Sequence, residues 1–171
     1  MNTTNAASAT NAANAAHVVD GGDAMTTVEG GASRASSARA GAGPAGIRVI
    51  RPPDRSLATI QSTGIRREAA IAPGTTGATR LWMGMATTPA GTVSAWHHHG
   101  DCETGIYVVS GRARFRWGPG GRESAEVGPG DFLAVAPYAI HQEEALGEEP
   151  FVMVVARACS GILSVDVPGP E

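Results

Sequence analysis

From residue 47 onward, apolar and polar positions fall into short runs, each closed by glycine or proline. Residues 47–51 (IRVIR) alternate until Pro52 and Pro53 interrupt them. Two further stretches, 77–89 and 91–98, are separated around Pro89 and Gly91, and residues 105–121 divide into two strands joined through Ser110 and Gly111. The pattern continues over 124–137, 138–145, 150–158 and 161–169. Turn signals recurring every ~8–12 residues, with no segment of helical period, predict an all-β sandwich or barrel. Within it, the run Arg112 to Trp117 alternates strictly. A period of two places three arginines on one face and Ala113, Phe115 and Trp117 on the other, so a solvated outer face over a packed inner one is expected.

Residues 1–46 lack this pattern. They are dominated by Ala, Asn, Ser, Thr and Gly, with too few large apolar side chains to offset the entropy of ordering the chain. The expected organisation is a disordered low-complexity tail over 1–46 and one folded domain over 47–171. A chain of 171 residues accommodates one domain with a real core.

Charge narrows the function. The formal net charge is −3, and the 13 basic residues are all arginine and never clustered in a run. The electrostatic footprint of a nucleic-acid binder is therefore missing. No stretch approaches the ~20 apolar residues of a membrane helix. No basic segment followed by an apolar one marks a secretory signal, so a cytoplasmic location is expected. Two cysteines, Cys102 and Cys159, do not make a disulfide framework. Cys159 is expected to be a small apolar strand residue, whereas Cys102 lies among candidate metal ligands.

The candidate chemistry sits in the histidines. His17 falls in the tail, His97, His98 and His99 are consecutive, and His141 lies far along the chain. Residues two apart on a strand share a face, so His97 and His99 can converge while His98 points away. Neutral imidazole is the commonest side-chain metal ligand near neutral pH, and His141 can complete a site from another strand. Mixed His and carboxylate ligation suits Fe, Mn, Ni and Zn almost equally. By the same parity, Glu143 shares the face of His141 and is a minor candidate for acid–base work.

At these residues the chain resembles the cupin superfamily, in particular its small single-domain bacterial members. The first cupin motif is matched by Gly91, the pair His97 and His99, Glu103 and Gly111; the second by Gly130, Pro137 and His141. The resemblance spans roughly residues 55–167. It implies a double-stranded β-helix (jelly-roll) barrel holding one divalent metal ion on His97, His99, Glu103 and His141. It also implies a small-molecule substrate, most readily for a dioxygenase, with a metal-dependent isomerase, lyase or decarboxylase, or a non-catalytic binding protein, as alternatives. A homodimer is expected by analogy, with the strand near 47–51 as a possible edge.

Two departures bear on the site. Seven residues separate Glu103 from Gly111 where the motif has six, which puts Thr104 at the acid's position. Glu103 is then either a ligand, or a neighbour or general base beside three histidines; Cys102 as a thiolate ligand is a further reading. The glycine that precedes the second-motif histidine is also absent, since Tyr138, Ala139 and Ile140 alone separate Pro137 from His141.

Overall fold

The computed structural model describes residues 46–159 and 164–171; of the tail expected over residues 1–46, all but Gly46 lies outside them. Among the described residues, ten strands form two five-stranded antiparallel sheets. The strands are β1 (Arg66–Ile71), β2 (Trp82–Thr88), β3 (His97–His98), β4 (Thr104–Ser110), β5 (Arg112–Trp117), β6 (Glu123–Val127), β7 (Phe132–Val135), β8 (His141–Leu146), β9 (Phe151–Arg157) and β10 (Val165–Asp166). One sheet runs β1-β2-β9-β4-β7 and the other β10-β3-β8-β5-β6. The all-β expectation holds, and only a four-residue helix (Pro73–Thr76) and two short 3-10 turns interrupt it among the described residues.

Alternation decides what each strand buries. In β9 the inward set is Phe151, Met153, Val155 and Arg157; in β4 it is Thr104, Ile106 and Val108; in β2 it is Trp82, Gly84, Ala86 and Thr88. From the second sheet, Ala113 and Phe115 enter the same core, where Phe115 meets Phe151 edge-on at 6.1 Å between ring centres. The opposite face of β5 behaves as its arginine pattern predicts. Arg112 and Arg114 pair across the sheet with Glu126 at 2.7 and 2.8 Å, and Arg114 also reaches Glu144 at 3.1 Å. These exposed pairs satisfy Arg112 and Arg114 locally, as expected of a solvated face.

Three sequence expectations need correction. Residues 47–51 form no strand; Ile47 and Val49 are 98% and 63% exposed, because among the described residues no neighbouring strand offers a ladder before Pro52 and Pro53 end the run. They therefore supply no edge for a dimer. Residues 91–96 are held to β8 through a bridge between Val93 and Glu144 and through mutual bonds between Ser94 and Glu143, and regular strand begins only at His97. Conversely, β1 was not foreseen, since its sequence, RREAAI, carries three charges in six residues.

The cysteines also differ from expectation. Cys102 and Cys159 form a disulfide with 5.5 Å between Cα atoms, so neither is an inert buried thiol and Cys102 is not a thiolate ligand. The bridge joins the loop after His99 to the end of β9, closing a separation of 57 residues. Gly111 shows why the β4–β5 turn needs glycine: at φ +74° a Cβ there would sit 2.4 Å from the Pro150 carbonyl oxygen.

Two outcomes test this architecture. Phe151→Ala, emptying a position with no solvent exposure, should cost about 3–5 kcal/mol in chemical denaturation. Thiol titration of unfolded, unreduced protein should find no free cysteine, and two after reduction.

Candidate metal centre

Pairing between β3 and β8 sets His97 directly opposite His141. Their ring centres lie 4.3 Å apart, with His99 at 5.4 Å from His97 and 4.8 Å from His141. All three are buried, and one ring nitrogen from each lies within 4.8 Å of those of the other two. His98 points the other way, as parity predicts; its Nδ1 accepts a hydrogen bond from the Gly100 amide, and its ring rests 5.8 Å from that of Tyr138.

Two of the three rings have their tautomer fixed by the backbone. His97 Nδ1 lies 3.0 Å from the Ala95 carbonyl oxygen, and His141 Nδ1 lies 2.8 Å from that of Ala139. A carbonyl can only accept, so each Nδ1 carries the proton and each Nε2 presents a lone pair. Such a bond is the usual means of orienting a metal-binding imidazole. His141 Nε2 and His99 Nδ1 are both buried with no hydrogen-bond partner in the protein. Buried nitrogens without partners are costly in an apolar interior unless something binds them.

Electrostatics keep the triad neutral. Burial pushes His97 down to about 3, and the adjacent His141 lowers it further, while the Ala95 carbonyl partly opposes. Burial likewise takes His141 down to about 4. His99 is lowered most, by burial first and then by the guanidinium of Arg157. Neutral imidazoles are the form that binds a metal.

The acidic member of the predicted site is corrected. Glu103 is exposed on the outside of the barrel, and its neighbour Thr104 occupies the inward position with its hydroxyl buried. Strand parity is the reason: Thr104 begins β4 in phase with Ile106 and Val108, which turns Glu103 outward as Gly111 fixes the far end of the strand. The group that the structure brings together among the described residues is His97, His99 and His141, without Glu103. The buried carboxylate nearest in sequence to the triad is that of Glu143, two residues beyond His141 on the same face, 1% exposed and accepting a 2.8 Å hydrogen bond from the Thr88 hydroxyl. Burial raises its pKa, with Thr88, Arg67 and Arg157 opposing.

Two functional candidates were missed from sequence, Arg67 and Arg157, each 1% exposed. The signal was present: Arg157 falls in phase with Phe151, Met153 and Val155, and Arg67 in phase with Ile65 and Ala69. Of the aromatic and other residues that could line such a cavity, Trp82 and Phe115 point inward, whereas Tyr107, Phe132 and Tyr138 are exposed at 39%, 79% and 64%.

Comparison with known proteins agrees with this geometry. The family model for the cupin domain matches residues 84–157, from β2 to the end of β9. A Klebsiella pneumoniae protein with a double-stranded β-helix domain superposes with a TM-score of 0.52 at 20% identity, covering 69% of this chain and 90% of that one. A variant of Bacillus subtilis oxalate decarboxylase superposes with a TM-score of 0.55 at 22% identity, covering 64% of this chain but only 29% of its own. Another structure of that enzyme, described in work on its Mn(II) centres, matches equally well. At these identities the likeness establishes the fold. No curated protein matches the chain in sequence.

The lowered histidines give a signed pH dependence. In the unfolded chain they take up protons below about pH 6.5, whereas folded His141 and His97 do so only near 4 and 3. Their contribution to stability is thus complete above about pH 6.5 and is lost as pH falls toward 4. Metal-free protein should show a falling denaturation midpoint over that window, and His97→Gln with His141→Gln should flatten the slope.

Proposed function

For a chain that carries a cupin domain with the double-stranded β-helix fold, we propose a mononuclear metal-dependent enzyme acting on a small organic molecule. The observation that carries this reading is the convergence of three buried, neutral imidazoles, two of them with Nδ1 pinned to a backbone carbonyl. His97, His99 and His141 would hold one divalent ion (Fe, Mn, Ni or Zn). Three protein ligands leave coordination positions open to substrate, the arrangement of catalytic rather than structural sites. When bound, the ion supplies Lewis acidity or dioxygen activation. Dioxygenase chemistry is placed first, on the open coordination positions within a ring of neutral ligands.

A second reading is lyase or decarboxylase chemistry, and the position of Glu143 favours it. A buried carboxyl with a raised pKa, on the same strand face as His141, is placed to hold or accept a proton. The structural likeness to oxalate decarboxylase adds support of fold only. Among the described residues no helix is long and apolar enough to cross a membrane.

The outer face of the first sheet supports a homodimer. Met83 and Met85 on β2, Val152 and Val154 on β9, Tyr107 and Val109 on β4 and Phe132 on β7 line its apolar part, while Arg66 and Glu68 of β1 with Arg48 and Arg55 border it at one end. A two-fold pairing brings identical patches together, so the apolar part of this face can meet its own copy.

Metal analysis of purified protein should find one divalent ion per chain. His97→Ala and His141→Ala should each weaken binding by more than the 10–100-fold that loss of an orienting partner typically costs, whereas Glu103→Gln should bind as the parent does. Dioxygen uptake against a panel of small acids and phenols then separates the two chemistries. Failure to take up stoichiometric metal after reconstitution would leave only a non-catalytic binding protein. For the dimer, light scattering should give twice the 17.4 kDa chain mass, and Phe132→Asp should return it to one.

A further inference from the structure

Arg157, Trp82 and Thr104 form one row across three adjacent strands, since Arg157 is the register partner of Trp82 on β2 and of Thr104 on β4. All three face the interior and are at most 3% exposed. The Arg157 guanidinium stacks over the Trp82 ring, with Cζ 5.4 Å from its centre. Its Nε and one terminal nitrogen are buried without a hydrogen-bond partner, as is the Thr104 hydroxyl. Among the described residues no carboxylate lies within ion-pair distance of Arg157.

The charges in this interior do not balance. Two guanidiniums, Arg67 and Arg157, face one buried carboxylate, Glu143. Arg67 also donates to the Ser62 hydroxyl at 2.8 Å and feels the charge of Asp166 as well as Glu143. Arg157 has Glu143 alone as an opposing charge. Burial lowers Arg157 to about 9, so it stays protonated at neutral pH. A buried cation with unused donors is unfavourable unless an anion completes it. The planar fork of a guanidinium matches a carboxylate in two parallel hydrogen bonds. The triad lies within reach of the same field, since the charge of Arg157 bears on His97, His99 and His141.

We propose that Arg157 and Thr104 form a binding seat for the carboxylate group of a small anionic ligand beside the histidine triad. As a statement about substrate it rests on the triad being a metal centre; as a statement about binding it does not. Arg157 supplies the charge and the fork, Thr104 donates its hydroxyl, and Glu143 balances Arg67.

The test is calorimetric titration of EDTA-treated full-length protein with sodium acetate and sodium oxalate at constant ionic strength, with acetamide as the uncharged control. Binding of a carboxylate, but not of acetamide, is expected. Arg157→Gln should weaken it by about thirtyfold or more, Arg157→Lys by less, and Thr104→Val by severalfold. Arg157→Met should melt at or above the parent's temperature while losing the anion, because an uncompensated buried cation has been removed. A lower melting temperature for Arg157→Met would overturn the claim that the charge is uncompensated. Equal carboxylate affinity in the parent and a folded Arg157→Gln would overturn the seat, as would absence of carboxylate binding in both metal-free and metal-loaded protein. Carboxylate binding that requires metal and ignores Arg157 would overturn the seat and leave the metal centre standing. Carboxylate binding without any metal uptake would support the seat and remove the metal centre.

Discussion

The pairing of β3 with β8 is the contact on which the site depends. It sets His97 opposite His141 at a single register position. A slip of one residue would turn His97 outward and present His98 in its place. The register is held by more than that one pair. The Ser94 amide donates to the Glu143 carbonyl, the Ser94 hydroxyl accepts from the Glu143 amide, and Gln142 donates to the Ser94 carbonyl. The short strand therefore inherits its alignment from the irregular segment before it.

The loops at the same end of the barrel are tied together as closely. The Tyr138 amide donates to the Gly100 carbonyl at 2.7 Å, joining the turn before His141 to the turn after His99. Tyr138 takes a left-handed φ of 58°, the conformation that a glycine would adopt without strain. It stands where the family pattern is short of a glycine, and its ring rests against His98. The Cys102–Cys159 bridge and the bond from the Ala158 amide to the Glu103 carbonyl fasten that loop to the end of β9. Since β9 ends on Arg157, the triad and the buried guanidinium share one anchored rim.

Inside, the barrel departs from an apolar core in a localised way. Ala86, Val108, Phe115, Phe151 and Val155 fill it in the ordinary manner. Arg67, Glu143, Arg157, Thr104 and the three histidines are equally buried. Charged groups that deep are retained only where partners or ligands compensate them. Neutral histidines and protonated arginines coexist because burial opposes charge on both, while the arginines' ordinary pKa is so much higher that they stay charged. The interior thus offers lone pairs and positive charge side by side.

Much of this was legible in the sequence. Recurrent turn residues and alternating runs gave an all-β chain, and parity alone separated His97 and His99 from His98. Those inferences succeed because a strand's two-residue period is a local property. Parity also contained the inward phase of Arg157 and the outward phase of Glu103, though the resemblance to a four-ligand motif pointed to Glu103. What only the tertiary structure decided depends on partners remote in the chain. The exposed state of Ile47 and Val49 reflects the lack of a neighbouring strand among the described residues, and the 57-residue span of the disulfide depends on where β9 ends. The convergence of Arg67, Glu143 and Arg157 depends on three strands from two sheets. Strand period fixes which face a residue takes; only packing of one sheet on the other determines what it meets there.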